Sequence, residues 1–89
     1  MSAQQNAQYN QNIQTKVSLL IFLKGSVAPI VLYFENPQSI YENLQNILRA
    51  QEAPKLIELD ALGPIKKVCL VSSEISGISI QEEQYVVKP

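Results

Sequence analysis

A single amphipathic segment constrains the fold of this chain more than any other feature of its sequence. Between residues 36 and 49, apolar side chains recur at helical spacing, and glutamine, asparagine, glutamate and arginine fill most of the other positions. Apolar residues at i, i+1, i+4, i+7 and i+8 form one stripe along a helix. Here they are Ile40, Tyr41, Leu44, Ile47 and Leu48. The segment therefore predicts a helix with one buried face.

The residues that flank the stripe predict where this helix begins and ends. Asn36 is a residue type that caps helix N-termini by accepting a hydrogen bond from an unpaired backbone N–H, and Pro37 suits the first helical position. Pro54 disfavours helical conformation in the residue before it and cannot continue the hydrogen-bond ladder. We expect the helix to end near Ala50 or Gln51.

Most of the remaining apolar residues come in short runs rich in valine, isoleucine, leucine and aromatic side chains, which is typical of strands. The two runs before the helix are separated by a short loop with a Lys-Gly-Ser turn, and they predict an antiparallel hairpin. The runs are 17–23, 30–34, 56–61, 65–71 and 75–80. Their order, β-β-α-β-β-β, predicts an α+β fold: a small twisted, mainly antiparallel sheet or open barrel of four to five strands with one helix packed on it.

The chain of 89 residues is long enough for one domain. Residues 1–15 are rich in glutamine and asparagine and have too few apolar groups to offset the entropy of ordering them, so we expect a flexible leader. We assign residues 16–81 to the α+β domain and residues 82–89 to a C-terminal tail. Gly77 stands between the out-of-phase residues Ile75 and Ile78, which predicts a β-bulge. The alternative for Gly77 is close approach of the backbone to a ligand.

The first predicted hairpin is apolar on both faces, whereas one helix can cover only one of them. A second subunit is the simplest cover for the other face, because most soluble oligomers are symmetric homo-oligomers. We therefore expect a small interaction module that assembles with copies of itself or with another protein. The candidate interface residues are Leu20, Phe22, Val31 and Tyr33.

The composition argues against several classes of function. The chain has no histidine, which is the usual general base near neutral pH, and a single cysteine cannot build a zinc site. We expect no catalysis, no cofactor and no bound metal. The net charge of −1 supplies no long-range attraction for nucleic acid or for an anionic membrane. No apolar run approaches the roughly 18 residues that a membrane-spanning helix needs.

Two features of the last third resemble reactive sites but have simpler readings. Cys69 lies among Val68, Leu70 and Val71, which predicts a buried, inert thiol rather than a nucleophile. Glu58 and Asp60 alternate with apolar residues and predict the solvated face of a strand; an acidic binding pair is the alternative.

A lone cysteine in a domain of this size suits a reducing compartment, so we expect the protein to be cytoplasmic. The alternative is a signal peptide, because Lys16 precedes the apolar run 17–23 and residues 26–28 resemble a cleavage site.

A small barrel that binds nucleic acid is the main alternative function. Basic residues could form a patch, and aromatic residues beside it could stack on bases. The acidic residues nearby and the absence of a net basic charge argue against it. The candidates are Lys24, Arg49, Lys55, Lys66 and Lys67, with Tyr33, Phe34 and Tyr41.

Overall fold

The fold is known from a computed structural model that describes residues 13–87. In chain order, the elements are β1 (Ile13–Leu23), β2 (Ile30–Leu32), α1 (Pro37–Ala50), β3 (Leu56–Asp60), β4 (Lys67–Val71), a 3-10 turn (Ser72–Glu74) and β5 (Ile75–Val86). The predicted order β-β-α-β-β-β is confirmed for this part of the chain. The strands form one sheet in the order β2-β1-β5 and a second sheet of β3 and β4, and the arrangement is open rather than a closed barrel.

Strand β1 is the centre of the larger sheet and is antiparallel to both of its neighbours. It is longer than the sequence indicated, because its polar first half pairs with the end of β5, from Ile13 opposite Val86 to Val17 opposite Glu82. Each segment alone has few apolar groups, but their mutual pairing satisfies the backbone. The boundaries assigned at residues 15 and 82 thus fall inside paired strands. The rest of the predicted leader, residues 1–12, and residues 88–89 lie outside the described part.

The predicted bulge lies where β5 begins to pair with β1. Phe22 is opposite Gly77 and Leu23 is opposite Ile75, which leaves Ser76 as the extra residue next to Gly77. The Ser76 hydroxyl donates a hydrogen bond to the backbone oxygen of Phe22 at 3.1 Å. This bulge brings Ile75 into the core, although it is out of phase with the apolar residues that follow it.

Helix α1 has the predicted limits but not the predicted cap. Asn36 precedes the first helical residue, Pro37, yet its side chain makes no capping hydrogen bond; its backbone oxygen instead accepts a bond from the N–H of Ile40 at 3.3 Å. The last helical residue is Ala50, and Gln51 takes the left-handed conformation with φ of 54°. Helices commonly end in this way.

The core lies between α1 and the two sheets. Leu44, at the middle of the helical stripe, is 1% exposed, and the other four residues of the stripe pack around the same core half-buried. A single cluster joins all of the larger elements. Its buried apolar members are Leu19, Ile21, Leu32, Leu44, Ile57, Leu70 and Ile75.

The two sheets are joined where β2 ends. Tyr33 forms an isolated bridge with Leu62, whose backbone N–H donates to the Tyr33 oxygen at 2.7 Å. Immediately after Leu62, Gly63 has a φ of 90°, which glycine adopts without steric cost. A Cβ added at this glycine would meet the Tyr33 ring at 3.2 Å, so the turn lies against that ring.

Candidate interaction surface

The four predicted interface residues come together on one side of the larger sheet, which we call the outer face. Leu20 lies directly opposite Val31, and directly opposite residues of paired strands point to the same side. Phe22 takes the next position on the same side of β1. Tyr33, the first residue after β2, falls on the same side as Val31 by the alternation of a strand. The residues between them, such as Leu19 and Leu32, are buried beneath the helix. The outer face is therefore the side that α1 does not cover.

Apolar side chains on the outer face are partly open to solvent. Phe22 and Val31 are each 38% exposed, whereas Leu20 and Tyr33 are half-buried. Beside them on β5, the small residues Gly77 and Ser79 lie opposite Phe22 and Leu20, and a Cβ added at Gly77 would lie 3.9 Å from the Phe22 ring. The outer face thus carries a group of adjoining apolar side chains, Leu20, Phe22 and Val31, which we call the apolar ridge.

Two polar residues at the edge of this ridge also belong to the outer face. The Lys16 ammonium lies 4.6 Å from the centroid of the Tyr33 ring, within the range of a cation–π interaction. Ser18, the next residue on the same side of β1, is 1% exposed, and its hydroxyl has no hydrogen-bond partner in the described part of the chain. Both follow the alternation that identified Leu20 and Phe22. The contact of Lys16 with Tyr33 could not be foreseen, because Tyr33 is remote from Lys16 in sequence.

The aromatic residues of the nucleic-acid alternative do not share a surface. Phe34 and Tyr41 pack against the core, while Tyr33 lies on the outer face beneath Lys16. Stacking on bases requires exposed ring faces, so these rings do not form a common platform.

Two of the candidate cations are paired with carboxylates. Lys55 lies 2.7 Å from Glu52, and its hydrogen bond and positive charge lower the pKa of that carboxyl. Lys67 lies 3.5 Å from Asp60 across the β3–β4 hairpin. Each pair cancels part of the field that a phosphate backbone would encounter.

The thiol of Cys69 is exposed, so the prediction that it is buried was wrong. In the β3–β4 hairpin, Cys69 lies opposite Glu58, on the side away from the buried residues Ile57 and Leu70. The apolar residues next to Cys69 in sequence point alternately to the two sides of the hairpin, and only one of these sides packs against the core. The predicted wet face of Glu58 and Asp60 is confirmed, since both residues are exposed.

Within residues 13–87, no group of three or more histidine, cysteine, aspartate or glutamate side chains is arranged to hold a metal ion. No helix in that range is long and apolar enough to cross a membrane. Comparison of the chain with protein-family models finds no match, and neither the curated proteins nor the solved structures contain a match to it.

Proposed function

We propose that the protein is a small non-enzymatic assembly module and that a second copy of the chain covers its outer face. The observation that carries this proposal is the apolar ridge of Leu20, Phe22 and Val31 on the side of the sheet that α1 leaves open. Burial of adjoining exposed apolar groups against a partner is favourable, because it removes their surface from water.

The charges at the rim favour a second copy as the partner. Lys16 lies directly opposite Glu83 on β5, so the outer face carries both signs at the same end. A two-fold axis brings the same surface of both subunits together. A face with balanced rim charges and an apolar centre can meet itself without net repulsion.

The test is the solution mass of the full chain, measured by light scattering after size-exclusion chromatography. At micromolar concentration we expect at least twice the chain mass of 9.9 kDa. Val31→Lys should shift the protein to a monomer, because it places a charge at the centre of the ridge.

Val71→Lys is the matched control. Val71 is 39% exposed and also lies on a strand, but on the hairpin of β3 and β4 rather than on the outer face. This variant should keep the wild-type mass. A wild-type mass of one chain across the micromolar range would refute the proposal, and so would equal masses for the two variants.

A further inference from the structure

A groove separate from the outer face lies between helix α1 and strand β3. Its volume is about 270 Å³. The buried side chains of Leu44 and Ile57 lie at its base, and more exposed residues form its rims. It is lined from the helix by Ile40, Asn43, Leu44 and Ile47, and from the other side by residues 55–59. Most of this lining is apolar.

The hydrogen bonds at both ends of β3 show which of its backbone groups face β4. The backbone N–H of Ala61 donates to the oxygen of Lys66 at 2.8 Å, and the N–H of Ser72 donates to the oxygen of Lys55 at 2.8 Å. In an antiparallel pair, the residues that exchange backbone bonds alternate with residues that do not. The odd-numbered residues of this segment therefore direct their N–H and C=O groups towards β4.

The even-numbered residues direct their backbone N–H and C=O groups to the opposite edge of β3, beside the groove. Leu62 confirms this alternation, because its N–H donates to Tyr33 on that side. The N–H and C=O groups of Leu56, Glu58 and Asp60 point the same way, and no strand within residues 13–87 pairs with them. Together they form an open edge with a strand position vacant next to it.

The path of the chain explains why this position is vacant. Continuing the antiparallel register from Tyr33 and Leu62 would place Glu35 opposite Asp60. The chain instead leaves the sheet after Tyr33 and enters α1 at Pro37, which has no backbone N–H to donate to a ladder. The groove is thus the space between the open edge of β3 and helix α1, which the chain forms where a strand next to β3 would otherwise continue.

The charges along β3 indicate what an added strand would carry. Asp60 is paired with Lys67, whereas Glu58 has no ion-pair partner in the part of the chain that the structure describes. A residue of an added strand opposite Glu58 would share its solvent-facing side, and the residues before and after it would point into the groove. We propose that this groove binds an extended segment of a protein partner by strand addition to β3, with apolar residues on both sides of a lysine or arginine that faces Glu58.

The probe is a fluorescently labelled peptide, acetyl-Ser-Thr-Val-Lys-Val-Thr-Ser-amide, and its control has glutamate in place of lysine. We expect saturable binding of the lysine peptide to the full chain. The glutamate peptide should bind at least about fivefold more weakly, because it replaces an opposite-charge pair with a like-charge pair.

Two substitutions at the same position separate the backbone from the charge. Glu58→Pro removes one N–H that faces the groove and leaves the bonds between β3 and β4 in place, so it should weaken binding at least about tenfold. Glu58→Gln keeps that N–H and should weaken binding of the lysine peptide only about two- to fivefold. The wild-type chain offers a second measurement. Hydrogen exchange of the backbone amides of Glu58 and Asp60 should slow when the lysine peptide is bound.

Three results would overturn the proposal. They are no saturable binding of the lysine peptide up to about 1 mM, equal affinity of the chain for the two peptides, and unchanged amide exchange at Glu58 and Asp60 when the lysine peptide is present. A fall in solution mass for Glu58→Pro would also overturn it, because a second copy would then occupy the edge of β3. The groove is tested independently of the outer face, since Val31→Lys should bind the lysine peptide with wild-type affinity.

Discussion

Replacing Leu44 with alanine tests the contact on which the whole fold depends. The Leu44 side chain is 1% exposed and belongs to the cluster that joins the helix to both sheets. The substitution removes three carbon atoms from the core, which costs about 2.4 kcal/mol at about 0.8 kcal/mol each. A residual cavity adds to this cost, and the measured range for such substitutions is about 2–5 kcal/mol.

The groove between α1 and β3 narrows the range expected for the loss of stability in Leu44→Ala. Leu44 lines that groove, so part of the vacated space would open to solvent and would not remain an empty internal cavity. We therefore expect a loss of about 2.5–4 kcal/mol in the free energy of unfolding. With a urea dependence of about 1 kcal/mol per M for a small domain, the unfolding midpoint should fall by roughly 2.5–4 M. A loss this large can leave part of the protein unfolded without denaturant.

The assay is equilibrium urea unfolding followed by circular dichroism, and Asn46→Ala in the same helix is the control. Asn46 is exposed, so its replacement removes no buried surface and should change stability by less than about 1 kcal/mol, in the stabilising direction. If the two variants unfolded at the same urea concentration, the helix would not pack through this stripe and the reasoning would be refuted.

Three further predictions concern other elements. Because the Cys69 thiol is exposed, a thiol reagent should modify it about as fast in native buffer as in denaturant, and protection in the folded state would contradict its placement. Ser18→Ala removes a buried hydroxyl that has no hydrogen-bond partner within residues 13–87, and it should raise the thermal midpoint by several degrees; a decrease would mean that the hydroxyl is satisfied. Gly25 and Gly63 both have positive φ, but among the residues that the structure describes only Gly63 of the two abuts another side chain, that of Tyr33. Gly63→Ala should therefore lose more stability in thermal unfolding than Gly25→Ala, and equal losses would contradict the contact.

Local patterns were sufficient to predict the helix and the faces of most strands. The stripe centred on Leu44 has the period of a helix, and Pro37 and Pro54 limit it through their own covalent structure. The alternation that separates Ile57 from Glu58 likewise depends only on the pleat of a strand. The same alternation, applied to both strands of the predicted hairpin, named Leu20, Phe22, Val31 and Tyr33 together, and in the structure Leu20 lies directly opposite Val31.

Long-range pairing decided what local patterns could not. The polar ends of β1 and β5 have no strand signal of their own, and they are ordered because each supplies the hydrogen-bond partners of the other across nearly the whole length of the chain. The exposure of Cys69 has a similar origin, since its neighbours indicate an apolar strand but not how many sides of that strand will be covered.

The sequence by itself determined the order of the elements, the limits of the helix and the side of most strands that faces the core, because these depend on backbone geometry and on the spacing of apolar residues. The tertiary structure alone decided that β1 also pairs with β5, that β3 and β4 form a separate sheet, and which side of the larger sheet the helix leaves as the outer face. The groove beside β3 follows from the same arrangement. Both surfaces depend on the turn of the chain into a helix after Tyr33, because that helix covers one side of the larger sheet and no strand within residues 13–87 pairs with the open edge of β3.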